Sequence, residues 1–374
     1  MNEEDVYTKI KKREDLPKSN FPSPTLIFQK WHRYKSFIHL EKTKSPKKFI
    51  DHISNCVQKV NADKNFYRDW CEDYKKTLDS VQGTVSFLNF KTVWRLIVGW
   101  GTNPALETGI QLHHLYGFPY IPGSAVKGVL HHVAELSLID SDWRMPGKDE
   151  EATAEKIKAL EKAVGDAELV RIVFGSLFIK KHTMEINNDN KKEEYGFETP
   201  LKWFENWKNN WDAYLGIKKE NSQTLLERIK KLASEEHTGG MITCFDAVPA
   251  EEEFNKQNIL QADILNCHYS KYYGGENHPP SDDQDPNPVT FLTVKPETTY
   301  IFPIRLQTIP DSEGRDDEEK ERIRILKDFG KNRLMELVKS WLEKGLSEWG
   351  IGSKTAAGYG YFLPVENEEK KTKE

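Results

Sequence analysis

The glycine-rich segment 350–360, Gly-Ile-Gly-Ser-Lys-Thr-Ala-Ala-Gly-Tyr-Gly, constrains the fold of this 374-residue chain more than any other feature. It stands between an amphipathic helical pattern over residues 317–346 and a short strand pattern over residues 361–365. Because glycine has no β-carbon, it adopts positive φ angles and permits close approach of backbone or ligand. The segment therefore predicts a tight loop that joins a helix to the last strand of a sheet.

The rest of the chain shows strands and helices in a recognisable order. A run of β-branched and aromatic residues over 84–100 predicts a buried strand, and a helical pattern follows over 124–133. Further strands are expected at 239–249 and as a pair over 289–306, before the helix at 317–346. The order of strand, loop, helix, strands, helix, loop and strand predicts an α+β fold with a ferredoxin-like (RRM-like) core.

Three parts of the chain are expected to lie outside that core of residues 84–365. Residues 1–83 are rich in Lys, Pro and Ser at their start, and they predict an irregular arm that continues into a helical extension. Residues 177–238 predict a helical insertion with a polar loop at 187–194, and residues 366–374 form a charged tail.

The start of the first core helix is one candidate binding site. Ser124 is a suitable N-cap residue, and Lys127 lies in the first turn, where the helix dipole disfavours a cation unless an anion is present. Free amide groups, the Ser124 hydroxyl and the Lys127 ammonium together suit a phosphate group. We therefore predict an anion site at Gly123, Ser124 and Lys127. A surface lysine that extends into solvent is the alternative.

The glycine-rich segment holds the second candidate site, formed by Gly352, Ser353, Lys354 and Thr355. It is not a Walker loop, because that motif places Gly directly before Lys and begins a helix. Here Ser353 precedes Lys354 and a strand follows. A nest of backbone amide groups around a phosphodiester is the better interpretation. The alternative is a flexible turn without a ligand.

Other patterns indicate chemistry less strongly. The adjacent histidine pairs at 113–114 and 131–132 do not face one site on a regular element, so no metal or other cofactor is predicted. The tryptophans within 203–211 recur every four residues, which fits a packed helix face better than a platform for nucleic-acid bases. Asp246 ends a predicted strand, where we expect it to cap a turn rather than act as a general base.

Composition excludes several classes of protein. The net charge of −5 is not that of a free-standing nucleic-acid binder, and residues 84–374 alone carry −10, so any nucleic-acid contact is expected to be local or shared with partners. The four cysteines show no C-x-x-C spacing, which favours a reducing cytoplasm. No apolar run approaches the roughly 20 residues of a membrane helix, and the N-terminus lacks the apolar stretch of a signal peptide.

Four sequence blocks resemble the RAMP superfamily of type III CRISPR effector proteins. They are residues 106–128, ending Tyr-Gly-Phe-Pro-Tyr-Ile-Pro-Gly-Ser-Ala-Val-Lys-Gly, residues 174–175 (Phe-Gly), residues 240–249 with Phe-Asp-Ala-Val-Pro, and residues 350–360. Residues 263–273 and 288–294 add a similarity to the sixth subunits of Cmr (type III-B) complexes. The resemblance covers about residues 84–364, apart from the insertion.

The resemblance implies a non-catalytic subunit that binds CRISPR RNA near its 3′ end and caps the backbone filament of an antiviral ribonucleoprotein. Its partners would be the guide RNA and other RAMP subunits. Target cleavage in such complexes is attributed to an Asp in the first loop of another subunit, and residues 99–127 contain no Asp. Carried over by motif, the RNA-binding positions are Gly123, Ser124, Lys127, Gly352, Ser353, Lys354 and Thr355.

Two other functions remain open from the sequence. One is a metal-independent CRISPR endoribonuclease that processes repeat RNA, with His113 or His114 as general acid or base. The other is a scaffold that contacts only proteins.

Overall fold

The computed structural model describes residues 64–101, 109–114, 116–140, 154–175, 182–185, 192–195, 219–233, 239–254, 259–267, 269–275, 279–280, 287–311, 313–315 and 317–365. The expected N-terminal arm before residue 64, the tryptophan pattern at 203–211 and the charged tail lie outside the described residues.

Helices and strands are interspersed along the described chain, which confirms the α+β class. The helices are α1 (Lys64–Asp79), α2 (Gly123–Asp140), α3 (Ala154–Phe174), α4 (Lys219–Ala233), α5 (Ser270–Tyr273), α6 (Asp317–Phe329) and α7 (Lys331–Lys344). The strands are β1 (Thr84–Thr92), β2 (His182–Glu185), β3 (Lys192–Tyr195), β4 (Ile242–Cys244), β5 (Val248–Pro249), β6 (Leu260–Cys267), β7 (Asn287–Val294), β8 (Thr299–Leu306) and β9 (Phe362–Pro364). Within these ranges, no helix is long and apolar enough to cross a membrane.

The central sheet is antiparallel, with the strand order β4–β8–β1–β9 and with β5 also paired to β8. Side chains alternate between the two faces of a strand, and β8 places Tyr300, Phe302 and Ile304 on one buried face. The Phe302 ring meets Phe90 of β1 at 5.5 Å and Phe362 of β9 at 5.6 Å between centroids. These aromatic residues belong to one hydrophobic core with the apolar faces of α2 and α7.

A second, two-stranded sheet consists of β6 and β7, which pair from Leu260 opposite Val294 to Cys267 opposite Asn287. Leu96 and Val294 exchange backbone hydrogen bonds of 3.1 and 2.8 Å, which attach this sheet to the segment after β1. The strand pair expected over 289–306 therefore consists of two strands that belong to different sheets.

Two predicted elements are shorter than expected. The strand predicted over 84–100 ends at Thr92, which is the last residue of β1 that pairs with a neighbouring strand. Residues 93–101 continue as irregular chain. The single helix predicted over 317–346 is divided into α6 and α7 at Gly330, whose φ of +83° lies outside the helical region.

Within the predicted insertion, β2 and β3 form a hairpin, with His182 opposite Tyr195 and Glu185 opposite Lys192. The expectation of a polar loop over 187–194 was therefore wrong for residues 192–194, which pair with β2. Helix α4 packs on α3, where Arg228 binds both carboxylate oxygens of Glu168 at 2.7 and 2.5 Å. The boundaries of the insertion remain a prediction.

Candidate nucleic-acid interface

The glycine-rich segment forms a tight loop between the π-helical turn Gly345–Trp349 and β9. Gly352 has a φ of +100° and crosses the chain at Ile97, whose carbonyl oxygen would lie 2.4 Å from a β-carbon at Gly352. The amide of Ser353 donates to the same Ile97 oxygen at 2.7 Å. Glycine is required at position 352 because any side chain would separate the loop from residues 93–101. The Ser353 amide therefore already has an acceptor within the protein, and this member of the predicted nest is not available to a phosphate.

Lys354 presents a cation on this loop from the left-handed region, with a φ of +61°. Its Nζ lies 4.4 Å from the centroid of the Trp100 ring, a cation–π contact. The edge of Trp100 meets Phe291 of β7, with centroids 4.4 Å apart and ring planes at 84°. Among the described side chains, no carboxylate pairs with Lys354. Its charge is therefore available to an external anion.

A largely buried ion pair anchors the same loop. Arg95 pairs with Asp263 of β6, and the Tyr359 hydroxyl donates to Asp263 Oδ2 at 2.6 Å. The Gly360 amide also donates to the carbonyl oxygen of Arg95 at 2.9 Å. Arg95, Asp263 and Tyr359 thus join the loop, the segment after β1 and the second sheet. We call these three residues the Arg95 cluster.

The pKa values of the Arg95 cluster follow from its contacts. Burial would raise the pKa of Asp263, but hydrogen bonds from Arg95, Tyr359 and the Ile264 amide together hold that pKa below its ordinary value. Burial, and then the neighbouring Asp263, raises the pKa of Tyr359 to about 12. At neutral pH the cluster therefore contains an ionised carboxylate and a neutral hydroxyl.

In the first candidate loop, at the start of α2, a carboxylate of the protein occupies the position predicted for an external anion. The Gly123 amide donates to Asp246 Oδ1 at 2.8 Å, and a β-carbon at Gly123 would lie 2.2 Å from the carbonyl oxygen of Cys244. The amides of Ala125 and Val126 donate to the carbonyl oxygen of Pro122. These contacts correct the expectation of free amide groups for Gly123, Ala125 and Val126. Asp246 has the predicted capping role, although it caps α2 rather than a turn of its own.

Two side chains of the first loop remain as candidates for anion binding. Ser124 is exposed, and Lys127 is half-buried beside β4. Burial raises the pKa of the Cys244 thiol to about 12, and the nearby Lys127 ammonium opposes that rise. Like Lys354, Lys127 forms no ion pair with any carboxylate in the described part of the chain.

The two candidate loops lie beside different strands of the central sheet and at different points along β8, because Gly123 contacts Cys244, which pairs with Ile304, whereas the other loop lies where β1 ends opposite Thr299. Strands β1 and β4 both run antiparallel to β8, so they point in the same direction. The loop at Gly123 contacts the end of β4, whereas the loop at Lys354 lies where β1 ends and β9 begins. The structure therefore places Ser124 and Lys127 near one edge of the sheet and Gly352, Ser353, Lys354 and Thr355 near the other.

The two histidines of the endoribonuclease alternative, His113 and His114, differ in their exposure. His113 is half-buried and lies 4.8 Å from both Tyr116 and Phe118 between ring centroids, and its Nδ1 accepts from the Tyr116 amide at 3.3 Å. Burial lowers the pKa of His113. His114 is exposed. His131 is buried, with Nε2 3.4 Å from Glu135 Oε1. In the ranges that the structure describes, no three His, Cys, Asp or Glu side chains are placed to hold a metal ion.

Several residues around the glycine-rich loop were not among the predicted binding residues, namely Trp94, Arg95, Trp100, Asp263 and Tyr359. One signal was available: Arg95 interrupts an otherwise apolar run, and a buried arginine requires an acidic or other acceptor partner. Nothing in the sequence identifies Asp263 as that partner, because it is 168 residues away.

Comparison with known proteins identifies the family of this chain. The RAMP superfamily matches residues 89–363, a range that contains both candidate loops. The CRISPR system Cmr subunit Cmr6 of Pyrococcus furiosus is 30% identical over 300 residues, which are 79% of this chain and 72% of that protein.

Two solved structures are also similar to this chain. The crystal structure of Cmr6 from Pyrococcus furiosus shares 25% identity and a TM-score of 0.33, covering 76% of this chain and 100% of the other. A chain of the Type III-B Cmr-beta complex bound to cognate target RNA, solved by cryo-EM, shares 16% identity and a TM-score of 0.46, covering 97% and 86%. From the superfamily match and the identity to Cmr6, we conclude that the chain belongs to the RAMP superfamily.

Proposed function

We propose that this protein is a non-catalytic subunit of a type III-B CRISPR effector complex that binds the guide RNA. It contacts the sugar–phosphate backbone of the CRISPR RNA near its 3′ end and caps the filament of RAMP subunits in antiviral defence. The identity to Cmr6 supports membership of such a complex. We expect the complex in the cytoplasm, consistent with the free thiols of Cys71 and Cys244.

The observation that carries the proposal is that the ammonium group of Lys354 has no carboxylate partner among the described residues. The glycine-rich loop is fixed to Ile97 and to the Arg95 cluster, yet it presents an ammonium group that no described carboxylate neutralises. A cation of this kind on a rigid loop suits a phosphate oxygen of a polynucleotide. Ser353 and Thr355 are half-buried on either side of Lys354 and add hydroxyl donors. Ser124 and Lys127 provide a second contact near the opposite edge of the sheet.

Phosphate contacts of this kind position an RNA without reading its bases. A guide-binding subunit needs this property, because guide sequences differ while their backbone is constant. Residues 84–374 carry a net charge of −10. We therefore expect neighbouring subunits to share the RNA, with this chain contributing a few local cations.

We infer that the central sheet has the ferredoxin-like (RRM-like) arrangement. Counted along the core alone, β1, the β4–β5 stretch, β8 and β9 are its four strands, and they lie in the order second, third, first, fourth. Helix α2 joins the first two strands and α7 joins the last two, which is the βαββαβ pattern. The hairpin β2–β3, helix α4 and the β6–β7 sheet are then insertions into that core.

The test measures guide-RNA affinity of the full chain over a series of salt concentrations. Lys354→Ala is expected to weaken binding about equally for all guide sequences and to lower the salt slope by about one. Lys339→Ala is the matched control, because Lys339 already pairs with Glu336 at 2.7 Å. An unchanged slope in Lys354→Ala would overturn the assignment of the loop.

The non-catalytic part of the proposal has its own test. The purified protein is incubated with repeat RNA in the presence of a metal chelator. We expect intact RNA. Site-specific cleavage that disappears in His114→Ala would instead identify the metal-independent endoribonuclease.

A further inference from the structure

Trp94 is an exposed aromatic side chain beside the glycine-rich loop. Its side chain is 47% exposed, although the sequence pattern predicts a buried strand there. Backbone hydrogen bonds on both sides attach it to the loop and β9: the Val93 amide donates to Tyr361 at 2.8 Å, and Arg95 accepts from Gly360 at 2.9 Å. The position of the Trp94 backbone is therefore fixed relative to Lys354.

The Trp94 ring is also in contact with the side chain of Arg95. The Arg95 guanidinium lies over the indole, 5.1 Å from its centroid. That guanidinium is fixed by Asp263, which also accepts from Tyr359 and from the Ile264 amide. An exposed indole supported by an anchored cation cannot collapse easily onto the protein surface. It is therefore a preformed flat surface beside a cationic loop.

A flat aromatic surface next to a cation is the composition of sites for single-stranded nucleic acid, where bases stack on rings and phosphates meet cations. We propose that Trp94 is a stacking platform for one unpaired base of the RNA that binds at the Lys354 loop. This inference rests on the proposed function. It adds a contact to a base face, which is tolerant of base identity because every base has a π-face.

The surroundings of Trp94 favour a polyanion over a protein as the occupant. Lys354 supplies a cation at the loop, and Lys91 is exposed near the end of β1. The charge of Arg95 is neutralised by Asp263, so Arg95 supports the indole without adding a net charge. Exposed apolar side chains also occur close by, at Val93 and at Leu363 of β9. A protein partner that covers this edge is therefore an outcome that the experiment must distinguish.

The experiment compares two RNAs of equal length, one with all its bases and one in which internal bases are replaced by abasic sugars. Affinities are measured for the full chain and for four variants: Trp94→Ala, Trp94→Phe, Lys354→Ala and Leu363→Ala. The last is the matched control, because Leu363 is 53% exposed on β9 but has no ring. Circular dichroism verifies that each variant is folded.

Trp94→Ala is expected to weaken binding of the base-bearing RNA by roughly 5- to 100-fold and to leave binding of the abasic RNA unchanged. Trp94→Phe retains most of the affinity because it keeps a ring. Lys354→Ala weakens both RNAs to the same extent, and Leu363→Ala weakens neither.

If Trp94→Ala binds both RNAs like the wild type while Lys354→Ala weakens both, stacking is wrong and the proposed function stands. If Lys354→Ala also binds like the wild type, the proposed function itself fails. Unchanged RNA affinity together with loss of another complex subunit from Trp94→Ala would assign this surface to a protein partner and overturn the inference.

Discussion

The amide nitrogen of Gly123 lies 2.8 Å from Oδ1 of Asp246, so a carboxylate from the segment after β4 caps helix α2. The start of a helix favours negative charge and leaves amide groups without partners. Asp246 satisfies one of these amides and occupies the place predicted for an external anion. The amides of Gly123, Ala125 and Val126 are therefore already bonded within the protein, and the side chains left for a phosphate at the first loop are the Ser124 hydroxyl and the Lys127 ammonium.

Asp246→Ala is expected to lower the free energy of unfolding by about 1 kcal/mol, the usual cost of losing a helix cap. Asp246→Asn keeps an acceptor oxygen and should lose less. Urea unfolding followed by circular dichroism measures both variants against the wild type. Equal losses in the two variants would show that the charge, rather than the hydrogen bond, stabilises α2.

Lys127→Ala and Lys354→Ala should each lower the salt slope of guide-RNA binding by about one, and the double variant should lower it by about two. Additivity is expected because the two loops contact different strands of the sheet and separated sites usually act independently. Fluorescence anisotropy with a labelled guide over a series of salt concentrations gives the three slopes. A double variant no lower than either single variant would contradict two separate phosphate contacts.

Gly352→Ala and Gly358→Ala form a matched pair at positive φ angles of +100° and +89°. A β-carbon at Gly358 meets no atom within 4 Å, whereas at Gly352 it meets Ile97 O at 2.4 Å. Gly358→Ala should therefore cost about 1 kcal/mol from the backbone alone, and Gly352→Ala should cost at least about 1 kcal/mol more. We also expect only Gly352→Ala to weaken RNA binding. Denaturant titrations and RNA affinity check the two effects, and equal stability losses would refute the close packing.

The Arg95 cluster makes stability depend on pH. The pKa of Asp263 is lower in the folded protein than in the unfolded chain, so the ionised carboxylate stabilises the fold. This contribution is complete above the unfolded pKa of about 4, and it is lost as the pH falls through the lower folded pKa. Acid therefore weakens the attachment of the glycine-rich loop to β6.

Asp263→Asn is expected to lower the free energy of unfolding at pH 7 by about 3 kcal/mol, because it leaves the largely buried Arg95 without a counter-charge. The difference from the wild type should shrink below about pH 4, where the wild-type carboxylate also begins to lose its charge. Asp69→Asn is the control, since its exposed pair with Arg68 should contribute within about 1 kcal/mol. Urea unfolding between neutral and acidic pH measures all three proteins. A difference that stays constant with pH would contradict the lowered pKa of Asp263.

Local patterns predict the order of strands and helices because each pattern lies within one element. The predicted boundaries of these elements are wrong where tertiary contacts determine where an element ends. Residues 93–101 are apolar because they lie between the glycine-rich loop and β7, not because they pair in the central sheet. Gly330 ends α6 through its positive φ, whereas a single glycine in a helical pattern is commonly tolerated at about 1 kcal/mol.

The candidate site was predictable only where its chemistry is local. Glycines and a lysine in one segment indicate the loop at Lys354, and the placement of Lys127 in a first helical turn indicates the second contact. The contacts of Arg95 with Asp263 and of Gly123 with Asp246 each span more than 100 residues, so no spacing rule finds them. Strand β6 has no clear hydrophobic pattern, because the charged Asp263 lies at a position where a buried strand would have an apolar residue.

The hydrogen bond between Tyr359 and Asp263 joins two residues that are synthesised 96 positions apart. Every partner of the glycine-rich loop, from Arg95 to Phe291, leaves the ribosome before the loop does. A nascent chain that stops before residue 354 can pair β1 with β8 and β6 with β7, but it lacks both Lys354 and strand β9. Under the proposed function, a chain that terminates upstream of residue 354 would therefore lack this contact with RNA.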